Sequence, residues 1–260
     1  KAIPGLTATQ IASLTTDQAE ALTSTLVGAM SSAQLAALSS ADIATFSTAD
    51  IAAISAWAMP GLSGGTMAAL TSDQLAALKA SQVAALKAAQ LAALGTEQLA
   101  SLTTSQIGAI SPAAMSGLSA SSIGALSADQ ISSFSAKAIA ALSPTQIGAL
   151  SITQVEALTS SQVASLTSRQ VGALSPAALA TFSIEDIPAL SPAALSALSA
   201  ASIASLTADQ IASLRTNQIA AMKTAQVASL TTEQIGALES AQIAALSAAQ
   251  VRALSVDAVA

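Results

Sequence analysis

The sequence contains no cysteine and no histidine, only three phenylalanines and one tryptophan, and charged residues fill just 8% of its 260 positions. Each shortage closes off a class of chemistry. Without cysteine there are no disulfides and no thiol sites, a condition compatible with either redox compartment. Without histidine no Ser-His-Asp arrangement can form, which leaves a Ser–Lys pair as the remaining nucleophilic option. Lacking both residues, the chain is poorly equipped for transition metals. The net charge of −6 offers no basic patch for phosphates, so a nucleic-acid partner is not expected. Nor is there a cationic amphipathic face for anionic lipid. Polar Ser, Thr or Gln interrupts every eight residues, and no run approaches the ~18 apolar residues of a spanning helix, so membrane insertion is not expected. The chain shows neither an initiator Met nor a signal peptide and reads as a mature product or an excerpt.

What is present is one octapeptide, over and over. A clean copy is TTEQIGAL (231–238), followed without a gap by ESAQIAAL and SAAQVRAL. Thr231 can accept a bond from the backbone N–H of Gln234, and the Gln234 side chain can reach back to the N–H of Thr231, forming a capping box. Leu230 and Ile235 bracket that start as a hydrophobic staple. Ile235 and Leu238 are three apart, so they share a face on a helix and oppose each other on a strand. Eight residues overshoot two helical turns by roughly 80°, so one unbroken helix would smear its leucines around every side. Restarting at each Ser or Thr resets the phase. Each helix of ~6 residues is too short to stand alone, and stacking must stabilise it. The fold class expected is therefore all-α: a solenoid, or superhelix, of very short helices, one per eight-residue repeat, with no sheet.

The register holds throughout. The Leu position stays apolar from Leu6 to Leu254, and the position three before it is Ile, Val, Leu or Met except at Ala19. The residue before Leu is always small, which predicts close packing between coils. The cap is Ser or Thr in 26 of 32 octads, the others being Lys79, Lys87, Gly95, Arg215, Lys223 and Glu239. All 19 Gln occupy the capping-box position, where Asp42, Asp50 and Asp186 substitute. Pro112, Pro144, Pro176 and Pro192 stand at the first helical position, where a missing N–H costs nothing. Acids including Asp17, Asp73, Glu97, Asp209, Glu233 and Asp257 favour the second, at the positive end of the helix dipole. Pro4, Pro60 and Pro188 fall at the fifth helical position and predict shorter or 3₁₀-like octads. The stretch 55–66, SAWAMPGLSGGT, is the expected irregular patch.

A shift of 136 residues superposes 71–102 on 207–238 and pairs the departures from consensus: Glu20 with Glu156, Phe46 with Phe182, Lys79 with Arg215, Lys87 with Lys223. The organisation expected is a single elongated solenoid over 1–260 with an internal duplication, 7–142 and 143–260. Turns of about 3.4 or 4.25 octads would return the paired departures to one face. Lys1 and Ala260 fall inside octads, so apolar ends are expected to continue in covalent neighbours or to stack on other copies.

Site candidates are few. No catalytic residue, cofactor-binding residue or metal ligand is assigned, and nearly every Ser has a capping or surface role. Calcium is the one plausible ion, at Asp42 with Asp50 or at Glu185 with Asp186, but these acids are better explained as helix-start residues. Lys79, Lys87, Arg215 and Lys223 are candidate partner contacts along a lateral stripe. The plainer expectation for them is a solvated face with coil-to-coil ion pairs to Asp73, Glu97, Asp209 and Glu233. Trp57 should point outward, since its position takes Asp, Glu, Ser or Ala elsewhere. Packing into the Pro/Gly irregularity is its expected use, and anchoring a partner is the alternative.

The tandem units LTADQIASL (206–214) and LTTEQIGAL (230–238) resemble repeat tracts of very large bacterial secreted or surface proteins, including adhesins of the RTX type. The resemblance covers the chain and implies a spacer or filament role outside the cell. The Gly/Asp-rich calcium nonapeptides of RTX proteins are absent, so calcium dependence does not carry over. The functional expectation is a non-catalytic structural element, an extracellular rod, stalk, adhesin spacer or filament segment that self-associates or continues end to end. The alternative is a binding module presenting a side face to a protein or glycan.

Overall fold

The structure, a computed structural model, describes residues 5–254. Pro4, Asp257 and the two chain ends, Lys1 and Ala260, lie outside the described residues. In octad 231–238 the Thr231 hydroxyl accepts from Gln234 N–H at 3.2 Å, and Gln234 Oε1 accepts from Thr231 N–H at 2.9 Å. The helix Thr232–Gly236 follows, and Leu238 N–H closes it on Ile235 O at 3.1 Å. Two extended residues then restart the pattern, as at Leu70 (φ −66°, ψ 135°) and Thr71 (φ −73°, ψ 162°). This pair of extended residues is what resets the helical phase. The described residues are all-helical, a regular series of short helices with no strand, and form a solenoid.

Residue contacts divide the chain into two compact units, Lys1–Ala141 and Leu142–Ala260. In the first, Ser24–Gly28 packs against Thr48–Ala53 and Ala80–Ala84 against Thr104–Ala109, each pair three octads apart. In the second, Pro192–Ser196 packs against Thr216–Ala221 at the same spacing. Side chains also reach four octads back, as described below. Each unit therefore completes a coil in more than three and fewer than four octads, which excludes 4.25 and brackets 3.4. The two apolar positions of every coil point inward. Ile51 and Ile54 are 0% and 2% exposed in the first unit, and Ile187 and Leu190 are 0% and 1% exposed in the second. Where no later described octad covers them, Ile243 and Val251 are 50% and 49% exposed.

The prolines act as their positions predict, with one addition. Pro60 lies in a 3₁₀ segment, Met59–Gly61, and Pro188 in a four-residue helix, Asp186–Ala189. Octad 111–118 is also 3₁₀, Pro112–Gly117, although Pro112 stands at the permissive first position. Both 3₁₀ octads share a glycine before Leu. A Cβ at Gly61 would collide with the Ser32 carbonyl, and one at Gly117 with the Ala88 carbonyl. Neither glycine has positive φ, so closeness of approach selects it. The tighter 3₁₀ path accompanies that approach, and Met-x-Gly-Leu is its signature in the sequence.

Candidate functional site: a ladder of glutamine amides

The chain's most ordered polar feature is its column of glutamines. Each Oε1 accepts from the N–H of its own cap residue, as the capping box requires: 2.6 Å for Gln82 with Lys79 and 2.8 Å for Gln218 with Arg215. The amide nitrogen does something the capping box does not call for. Gln82 Nε2 donates to Ile51 O at 2.8 Å and to Ile54 O at 2.7 Å. Gln90 Nε2 donates to Met59 O and Leu62 O, both at 2.8 Å. In the second unit Gln218 reaches Ile187 O at 3.0 Å and Leu190 O at 2.8 Å, and Gln226 reaches Leu195 O and Leu198 O. One side chain thus caps the start of its own helix and the end of the helix four octads earlier. It satisfies carbonyls that a helix end leaves orphaned, and it uses both amide hydrogens. Gln82 is 1% exposed and Gln218 0%.

Sequence reasoning assigned these glutamines to caps alone and missed the bridge. The signal was present, because Glu completes a capping box as well as Gln does. Yet Glu never occupies this position, against 19 Gln. A carboxylate cannot donate, so only Gln performs both tasks.

Each unit has one gap that spans four successive octads; the first unit also has shorter breaks at Ala114, Ser122 and Ala138, with Gln106 and Gln130 bridging beside them. Four successive octads, 39–70, carry Asp42, Asp50, Ala58 and Thr66 in place of Gln, and 175–206 carry Ala178, Asp186, Ala194 and Ser202. Among the described residues no side chain donates to the carbonyls of Leu14, Leu22, Met30 and Leu38, or to those of Leu150, Leu158, Leu166 and Leu174. One hydroxyl–carboxylate bond bridges coils in each gap instead, Ser24 Oγ to Asp50 Oδ1 at 2.6 Å and Ser160 Oγ to Asp186 Oδ1 at 2.7 Å. Burial disfavours the Asp50 carboxylate, but bonds from the Ser24 and Ser47 hydroxyls and the Ser47 N–H outweigh it and hold its pKa below the ordinary 3.8.

The calcium candidates are engaged as caps. Asp42 Oδ2 accepts from Ser39 N–H at 2.9 Å and Ser39 Oγ at 2.7 Å, and Asp186 Oδ2 accepts the same pair from Ser183. Among the described residues no three His, Cys, Asp or Glu side chains are grouped so as to hold a metal ion.

The basic residues are not brought together. Lys79 and Lys87 provide no side-chain cap, and their helices start on the Gln82 and Gln90 carbonyl oxygens alone. They occupy successive octads, turned about 90–120° from each other by a coil of three to four repeats. The same rotation separates them from Asp73 and Glu97, and the expected ion pairs do not form among the described residues. Arg215 joins the ladder, its Nη2 donating to the Pro188 carbonyl. Trp57 points outward as expected, and it does not pack into the Pro/Gly patch. It is 65% exposed and borders an open groove with Leu6, Ala8, Ala29, Ser31, Ala33 and Gln34. The turn at 55–58 leaves Ser55 Oγ as the single buried side-chain polar atom without a partner among the described residues.

A family model for the ALTTAQ repeat matches residues 67–104, 82–112, 137–168, 179–216, 212–240 and 235–260, together more than half of the chain. The chain belongs to the ALTTAQ repeat family. The segments AMKTAQ (221–226) and ALSAAQ (245–250) approach those six letters here, running from the small residue before the Leu position to the next glutamine. In this ALTTAQ protein that span holds a carbonyl acceptor, a cap and an amide donor. Comparison with curated proteins finds no match.

Proposed function

We propose that this ALTTAQ repeat protein is a non-catalytic structural element, a spacer or filament segment of an assembly. One observation carries the reading: the polar groups that recur most regularly, the cap hydroxyls and the glutamine amides, are consumed in holding backbone to backbone. Placement outside a bacterial cell, as in RTX-like adhesins, rests on the resemblance of its LTxxQIxAL units. Self-association, or continuation of the array end to end, is part of this proposal and rests on the stacking of like coils on like coils.

A second reading, a binding module, is favoured by the exposed indole of Trp57 beside its groove. Electron micrographs and glycan-array or pulldown binding of wild type and Trp57→Ala separate the two. The structural reading expects elongated particles that associate end to end and ignore the substitution. Binding of a protein or glycan that is lost in Trp57→Ala, without end-to-end association, overturns it.

A further inference from the structure

The gaps in the ladder do more than interrupt a pattern. In the second unit, residues 207–238 are joined to residues 175–206 by Gln210, Gln218, Gln226 and Gln234, each donating to two or more carbonyls. The same residues 175–206 rest on 143–174 with no amide between them. Bridging there falls to Ser160 with Asp186. The first unit repeats the arrangement, with 71–102 laced to 39–70 through Gln74, Gln82, Gln90 and Gln98, and 39–70 resting on 7–38 through Ser24 and Asp50.

We propose that each unit is built to part along one predetermined seam, between 7–38 and 39–70 in the first and between 143–174 and 175–206 in the second. Apolar packing closes both kinds of interface. Val163 at the seam is 0% exposed and Ile219, laced on both faces, is 1% exposed. Opening a laced interface must also strip a full coil of buried carbonyls of their donors at once, whereas opening a seam strips none. The seam is therefore the place where a unit yields under tension or thermal fluctuation, while the coils on either side stay intact. This inference holds whatever the array is attached to, and its failure leaves the structural reading standing.

The absence of cysteine makes a single introduced thiol a unique probe. Val163→Cys reports on the seam, and Ile219→Cys, whose octad is laced on both faces through Gln218 and Gln250, reports on the laced coils of the same unit. Under native conditions a dithiobis(nitrobenzoate) reagent should label Val163→Cys at least tenfold faster. Ala194→Gln places an amide opposite Val163 O and Leu166 O, at the spacing used by Gln218, and should slow that labelling several-fold. Gln218→Ala, the residue found naturally at this position in Ala178 and Ala194, should speed labelling of Ile219→Cys. Equal rates at the two thiols, or rates indifferent to both ladder substitutions, overturn the proposal. Native-state hydrogen exchange of the unsubstituted chain checks it without cysteine: amides of 160–166 should be less protected than those of 216–222, and equal protection counts against the seam.

Discussion

Residues 175–206 have two neighbours in their own unit and are attached to them by different means. Toward 207–238 every octad receives a glutamine amide; toward 143–174 none gives one. Yet both interfaces close to the same depth, with Val163 at the seam and Ile219 in the laced coils both buried. Apolar packing is thus sufficient to stack coils. What the amides add is satisfaction of carbonyls and a fixed spacing of 28 and 31 residues between donor and acceptor. That division of labour resembles the general one between burial, which is roughly proportional to area, and hydrogen bonds, which are costly mainly when left unmade.

The largest test of the comparison removes what the two interfaces share. Ile187→Asp puts a carboxylate into the apolar column and should cost more than ~4 kcal/mol. Denaturant titration should show the second unit losing cooperative unfolding, laced or not. Next, Gln218→Glu preserves the capping box and abolishes the donor, setting an acceptor against Ile187 O and Leu190 O. The expected loss is about 3 kcal/mol at neutral pH. Protonation restores one donor, so this variant should regain stability as the solution is acidified. A cost of only a few tenths at neutral pH would show that the cross-coil bonds contribute little beyond caps.

The smallest effect concerns the seam of the first unit. The folded pKa of Asp50 is lowered, so its ionised form adds stability that is present above its ordinary value of 3.8 and lost as pH falls through the lower folded value. Asp50→Asn should cost about 1.5 kcal/mol at neutral pH. The gap between wild type and variant should shrink in acid. A gap that is constant with pH would mean that the Ser24 and Ser47 bonds do not favour the charged form.

Much of this architecture can be read from residues alone. The spacing of Ile235 and Leu238, the Ser/Thr caps and the first-position prolines each specify a helix start, and local chemistry decides local structure. The tertiary features were less legible because they depend on which octads meet. Three-to-four-octad coils place Lys79 and Lys87 on different sides, and no local pattern announces that. Gln bonding four octads away was visible only as an unexplained preference over Glu. Trp57 stays exposed although the Pro/Gly patch offered it a place to pack. The 3₁₀ path of 111–118 accompanies the close approach of the Ala88 carbonyl, which is remote in sequence from Gly117.

The direction of the ladder has a consequence for how the chain is made. Every bridging amide donates to carbonyls 28 to 31 residues earlier in the sequence. As the polypeptide emerges from the ribosome, each new octad therefore meets acceptors that are already in place, and it waits for nothing downstream. Contacts this local in sequence favour rapid folding. The coil behind serves as the template for the coil ahead, so the array can settle one turn at a time at the pace of its own synthesis.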